Sequence, residues 1–131
     1  MRLFDEAGRS VSSPSAADVR SVIEGIDSEI NTYAILEKQP NHYMQTMQFE
    51  DGFELEYQVD DTDHHFRAPQ RMARDEVMRA MTQYAEQDDR WLKEIEWEPL
   101  NLEVAESKSG CLGLLLVGAS LGASAFGAFC L

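Results

Sequence analysis

The stretch that most restricts how this chain can fold runs from Gly110 to Leu131. It holds no charged side chain, and Ser120 and Ser124 are its only clearly polar ones. As a helix, 22 residues span roughly 33 Å, against about 30 Å for the hydrocarbon core of a bilayer. A core helix of a soluble protein shows a polar face, and this stretch has none. A domain as small as the preceding 100 residues has little interior in which to hide a helix apolar all round. The sequence therefore predicts a soluble domain over 1–100, a polar linker over 101–109 and a single-pass transmembrane tail anchor over 110–131. The expected location is the membrane, with the soluble domain cytoplasmic. Small residues recur in the tail at four-residue spacing: Gly118 with Gly122, and Ala119 with Ala123 and Gly127. Such stripes let two helices approach closely and allow a homodimer through the tail. A Gly- and Ala-rich span also produces that spacing by chance.

Charge is concentrated ahead of the tail. All 24 acidic residues but only ten of the 11 basic ones precede position 108, a net charge of −14 there. That excess disfavours nucleic acid, whose phosphates need a cationic face. It suits a basic protein partner, or serves solubility alone. The two cysteines, Cys111 and Cys130, both lie in the apolar tail. On a helix they would stand roughly 28 Å apart, beyond disulfide reach. A soluble domain without cysteine suits a reducing compartment.

Within 1–100 the signals alternate between helix and strand. Leu3-Phe4 reads as a short edge strand. Ser15-x-x-Asp18 resembles a capping box, and Val19, Val22, Ile23, Ile26 and Ile30 follow at helical spacing, so a helix is expected from about 14 to 29. Thr32 to Glu37, His42 to Phe49, Phe53 to Gln58 and His64 to Ala68 read as strands joined by short turns, which implies an antiparallel meander. Asp60 to Asp63 reads as a loop. A second helix, about 73 to 87, turns Met72, Val77, Met81 and Tyr84 inward. Ile95 to Glu98 suggests a last strand, closed by Pro99. The expected fold class is α+β: an antiparallel sheet of four to five strands with two helices on one face, plus the C-terminal transmembrane helix. The other face of such a sheet is expected to be wet.

Few residues suggest catalysis. Asp61, Asp63, His64 and His65 offer divalent-cation ligand types. Adjacent histidines on a strand point to opposite faces, however, and no EF-hand glycine or closing glutamate follows. The serines before the first helix are explained by capping. No phosphate-binding glycine loop appears. The expectation is a non-enzymatic protein with no cofactor and no bound metal. Glu54 and Glu56 alternate with Phe53, Leu55 and Tyr57, while Glu94, Glu96 and Glu98 alternate with Ile95 and Trp97. Brought together, these strands present carboxylates that either dock a basic partner or form an ordinary charged face.

The series Gly52-Phe53-Glu54-Leu55-Glu56-Tyr57-Gln58, then His65-Phe66-Arg67-Ala68, Asp88-Asp89-x-Trp91 and Glu96-Trp97-Glu98 resembles small bacterial α+β proteins. In layout, and in the closing Trp-Glu, it is similar to the immunity proteins of bacterial polymorphic toxin systems. That resemblance, over about residues 30 to 98, implies a domain that binds and blocks a toxin, with Glu54, Glu56, Trp97 and Glu98 as candidate contacts. The leading expectation is a membrane-tethered binding module. The alternative is a membrane structural or assembly protein associating through its small-residue-rich tail helix, and a metal-dependent enzyme is a third. If 110–131 spans a bilayer, full-length protein sediments with membranes after carbonate extraction, and a chain ending at Ser107 stays folded in the supernatant. Full-length protein that remains a soluble monomer without detergent would remove the anchor.

Overall fold

The computed structural model describes residues 1–100. The predicted linker and anchor, including Gly118, Ala119, Gly122, Ala123 and Gly127, lie outside the described residues. Among the described residues no helix is long and apolar enough to cross a membrane.

The first helix starts where its capping chemistry dictates. The Ser15 hydroxyl accepts from the Asp18 amide at 3.1 Å, and the Asp18 carboxylate accepts from the Ser15 amide at 2.9 Å. This reciprocal box satisfies two of the amides a helix start leaves unbonded and sets α1 at Ala16–Glu24. The helix is shorter than the sequence pattern predicts. After Gly25, the Asp27 carboxylate accepts from the amides of Glu29, Ile30 and Asn31, and this local turn competes successfully with helix. Ile30, expected inside, is consequently 79% exposed.

The strands are β1 (Arg2–Asp5), β2 (Ser10–Ser12), β3 (Tyr33–Gln39), β4 (His42–Phe49), β5 (Gly52–Val59), β6 (Asp61–Arg67) and β7 (Glu98–Pro99). They form one seven-stranded antiparallel sheet in the order β2-β1-β3-β4-β5-β6-β7. The meander from β3 to β6 matches expectation, and the sheet exceeds the predicted four to five strands. β1 is internal rather than an edge, because the turn at Gly8 (φ +97°) folds Ser10–Ser12 back onto it. The acidic run at 60–63 mostly joins β6. A left-handed Asp60 (φ +67°) turns the chain, and β6 begins immediately.

α2 spans Arg74–Ala85, and the stretch after it forms a short α3 at Arg90–Glu94. The predicted strand over Ile95 to Glu98 is thereby reduced to β7, whose Glu98 faces Arg67 and whose Pro99 faces Phe66. All three helices pack on one sheet face, joining Val19, Val22, Ile23, Val77, Met81 and Trp91 to Leu3, Leu36, Met44, Phe53, Leu55 and Tyr57. Arg74 ties this layer together: its guanidinium donates to the Ile23 and Ile26 carbonyls at 2.6 and 3.0 Å and lies over the Phe53 ring. It thereby adds a donor to carbonyls at the C-terminal end of α1, where the Ile23 carbonyl also accepts from the Ile26 amide. Leu55 sits at the centre of this layer with no exposure. Leu55→Ala should lower unfolding free energy by about 2–5 kcal/mol, measured by urea denaturation; a loss below about 1 kcal/mol would mean that the layer is not packed around it.

Candidate functional site

The β4–β5 register decides which side chains share the helix-free face. Met44 faces Tyr57 and Thr46 faces Leu55 toward the helices, so Tyr43 with Gln58, Gln45 with Glu56 and Met47 with Glu54 face the other way. β5 then sets Gln58 opposite His65 and Glu56 opposite Arg67. Period-2 alternation therefore gathers two carboxylates, an imidazole, a guanidinium and two amides on one surface.

These groups are bonded to one another. His65 Nε2 lies 2.5 Å from Glu56 Oε1, and His65 Nδ1 lies 3.1 Å from Gln58 Oε1, so acceptors face both ring nitrogens. Tyr43 donates its hydroxyl proton to the same Gln58 oxygen, and Gln45 donates to Glu56. Glu56 is 4% exposed and His65 2%. Around this centre, Arg71 donates to Glu54 at 2.9 Å and to Asp51 at 3.0 Å, and Arg67 donates to Glu98 at 2.9 Å. The face was expected to be solvated, but its centre at Gln45, Glu56, Gln58 and His65 is buried, while Arg67 and Glu98 at its margin are half-exposed. Buried polar groups are tolerable only when hydrogen-bonded, so removing one partner leaves the other unsatisfied at a cost of about 1–3 kcal/mol. Glu56 is therefore a structural residue, and reversing its charge is no surface change.

The predicted contact residues separate. Glu54, Glu56 and Glu98 share the helix-free face, where Arg67 lies within ion-pair distance of Glu54 and Glu98. Trp97 turns to the opposite face, edge-on to Tyr57 and Trp91, with its indole N–H donated to the Trp91 carbonyl. Glu96 is exposed between α3 and β7 and makes no ion pair among the described residues. The histidines do diverge. His64 is exposed and bonds Asp61 at 2.8 Å, while His65 goes inside. Among the described residues, no three His, Cys, Asp or Glu side chains converge as a metal site. Sequence reasoning missed Tyr43, Gln45, Gln58, His65 and Arg67 as one network. Alternation within each strand was visible, but their convergence follows from the pairing register.

A second feature lies at the end of the sheet where β5 turns into β6. A cleft of about 410 Å³ is floored by Tyr57, Phe66, Tyr84 and Trp91 and edged by the exposed Val59 and Leu92. His64, Asp89, Lys38 and His42 also line it, His42 being held by Asp60 at 2.6 Å. No family model matches this chain, and no curated protein and no solved structure does either.

Burial and the neighbouring Glu56 carboxylate push Glu54 up to about 7, against the pull of Arg71 and Arg67. The folded state thus holds this proton more tightly than the unfolded chain, whose ordinary value is 4.5. Its contribution to stability is complete below about pH 4.5 and is lost as pH rises through 7. Glu54→Gln, neutral at every pH, should gain about 1–3 kcal/mol on wild type between pH 5 and pH 8 in urea unfolding. A difference that stays constant across that window would contradict the raised value.

Proposed function

We propose that this chain is a non-enzymatic protein-binding module, tethered to a membrane by residues 110–131, whose partner is a basic protein. The resemblance to immunity proteins makes a toxin the leading partner class. The observation that carries the reading is how the described domain uses its charges. Arg67, Arg71, Arg79 and Arg90 are each committed to a carboxylate, and Arg74 to helix carbonyls. Glu50, Asp63, Asp75, Glu86, Asp89 and Glu96 are exposed and make no ion pair among the described residues. The acidic excess is therefore presented to solvent, where it attracts a cationic partner over a Debye length and accelerates encounter.

The cleft at the β5–β6 turn supplies what charge alone lacks. Interfaces draw affinity from a desolvated apolar or aromatic centre and use polar rims for orientation. Here Val59 and Leu92 expose apolar surface over an aromatic floor. Asp60, Asp61 and Asp63 stand on one side, and Asp88 and Asp89 on the link from α2 to α3. Glu54 and Glu56, engaged internally, are the less accessible contacts.

Asp63→Lys combined with Asp89→Lys tests this reading, since neither side chain contributes to the core. With a basic partner recovered from membranes, the double variant should associate at least about tenfold more slowly and with a weaker salt dependence, the tenfold equalling about 1.4 kcal/mol. Leu92→Ala should instead raise the dissociation rate. Unchanged kinetics in both variants would show that this end of the domain is a solvated surface.

A further inference from the structure

The cleft where β5 turns into β6 combines exposed apolar surface, an aromatic floor and a negative surround. Among the described residues three large apolar side chains are exposed, and two of them, Val59 at 39% and Leu92 at 42%, flank this one cleft. On its floor Phe66 stacks on Tyr57, with centroids 5.0 Å apart and planes 20° from parallel. Trp91 and Trp97 hold Tyr57 edge-on at 4.8 and 4.6 Å, so the floor is ordered before anything binds. The volume of about 410 Å³ lies near the low end of the roughly 300–1,000 Å³ of small-ligand sites, which suits one side chain rather than a helix. Asp89 lines the cleft, is exposed, caps no amide of α3 and makes no ion pair among the described residues. Asp60 and Asp61 are bonded to His42 and His64, and Asp63 stands beside them. Among the described lining residues Lys38 is the one permanent cation. These four carboxylates outnumber it, and they still do when both histidines are protonated.

We infer, resting on the basic-partner reading above, that this cleft takes a single arginine side chain of that partner. A purely apolar side chain would cover Val59 and Leu92 but leave the carboxylates without a counter-charge. An acidic side chain would enter a surround that is already negative. Lysine and arginine both carry an apolar stem that can lie over Val59 and Leu92 while the charged head stays near water. Arginine fits the remaining chemistry better. Its planar guanidinium stacks on aromatic faces, is more weakly hydrated than an ammonium, and bonds a carboxylate through two N–H groups at once. Phe66, half-buried on the lining, supplies the ring, and Asp89 supplies the carboxylate. The partner's arginine is then the anchor that loses its water, and the carboxylates around the cleft form the rim.

The test is a titration of the full-length chain, in an uncharged detergent and with Val and Leu methyl groups labelled for NMR, with N-acetyl-arginine N-methylamide. The Val59 and Leu92 methyl resonances should shift saturably at millimolar probe. The citrulline analogue keeps the shape without the charge and should bind at least about fivefold more weakly. The lysine analogue should bind at least about twofold more weakly, and the glutamate analogue should not saturate. Asp89→Asn should reduce the preference for arginine over citrulline at least about twofold and leave citrulline binding unchanged. An arginine probe that shifts neither methyl, or that binds no tighter than citrulline, lysine or glutamate, overturns the inference, as does an undiminished preference in Asp89→Asn. Failure here is distinct from failure of the basic-partner reading. If the arginine probe fails while Asp63→Lys with Asp89→Lys still slows the partner, the partner anchors elsewhere and the inference falls alone. If the probe binds while the partner's kinetics do not change, the arginine site stands and the basic-partner reading falls.

Discussion

The register of β4 against β5 is the constraint on which the rest of the domain depends. It is fixed because both faces of these strands are buried, each with a different chemistry. Toward the helices, Met44, Thr46, Leu55 and Tyr57 meet side chains of α1, α2 and α3. Away from them, Gln45, Glu56, Gln58 and His65 form a bonded polar row. A slip of one residue would place Glu56 and Gln58 under Val77 and Met81 and turn Leu55 into the polar row. No neighbouring register satisfies both faces. The tight turn at Gly52 (φ +132°) reinforces this, because an added Cβ would meet the Met72 carbonyl at 3.0 Å.

The Glu56–His65 pair is best understood as a device for specificity rather than as a source of stability. A buried hydrogen bond returns little more than the desolvation cost of its groups, whereas leaving one partner unsatisfied is expensive. It penalises alternatives more than it rewards the native state. Arg67 and Arg71 extend the same logic outward, linking β5 to β7 and to the β4–β5 turn through Glu98 and Asp51. One consequence is electrostatic: guanidiniums spent on these pairs do not neutralise the exposed Glu50, Asp63, Asp75, Glu86, Asp89 and Glu96. The acidic surface on which the proposed partner recognition rests follows from how the sheet holds itself together.

Two surfaces with separate roles result. The end of the sheet at the β5–β6 turn combines exposed apolar residues, an aromatic floor and nearby carboxylates. The helix-free face combines a buried polar pair, Glu56 with His65, and ion pairs of the half-exposed Arg67 with Glu54 and Glu98.

Much of the element order was determined by the sequence alone. The capping box at Ser15 and Asp18, the helical spacing from Val77 to Tyr84 and the alternation from Phe53 to Gln58 are local signals, each sufficient for the element it starts. Local competition explains the nearest misses, as when Asp27 closes a turn that ends α1 early. β2 was not legible in this way, and β7 only as the end of a longer expected strand, because strands of three and two residues exist only through partners distant in sequence. The same holds for the candidate site. That Glu54 and Glu56 share one side of β5 follows from a period of two. That Glu56 meets His65 nine residues away, that Tyr43 and Gln45 join them from β4, and that Trp97 turns to the opposite face were decided by pairing register and packing. Sequence determines which side chains lie on the same side of a strand; only the folded sheet determines which strands are neighbours and which side is kept from water.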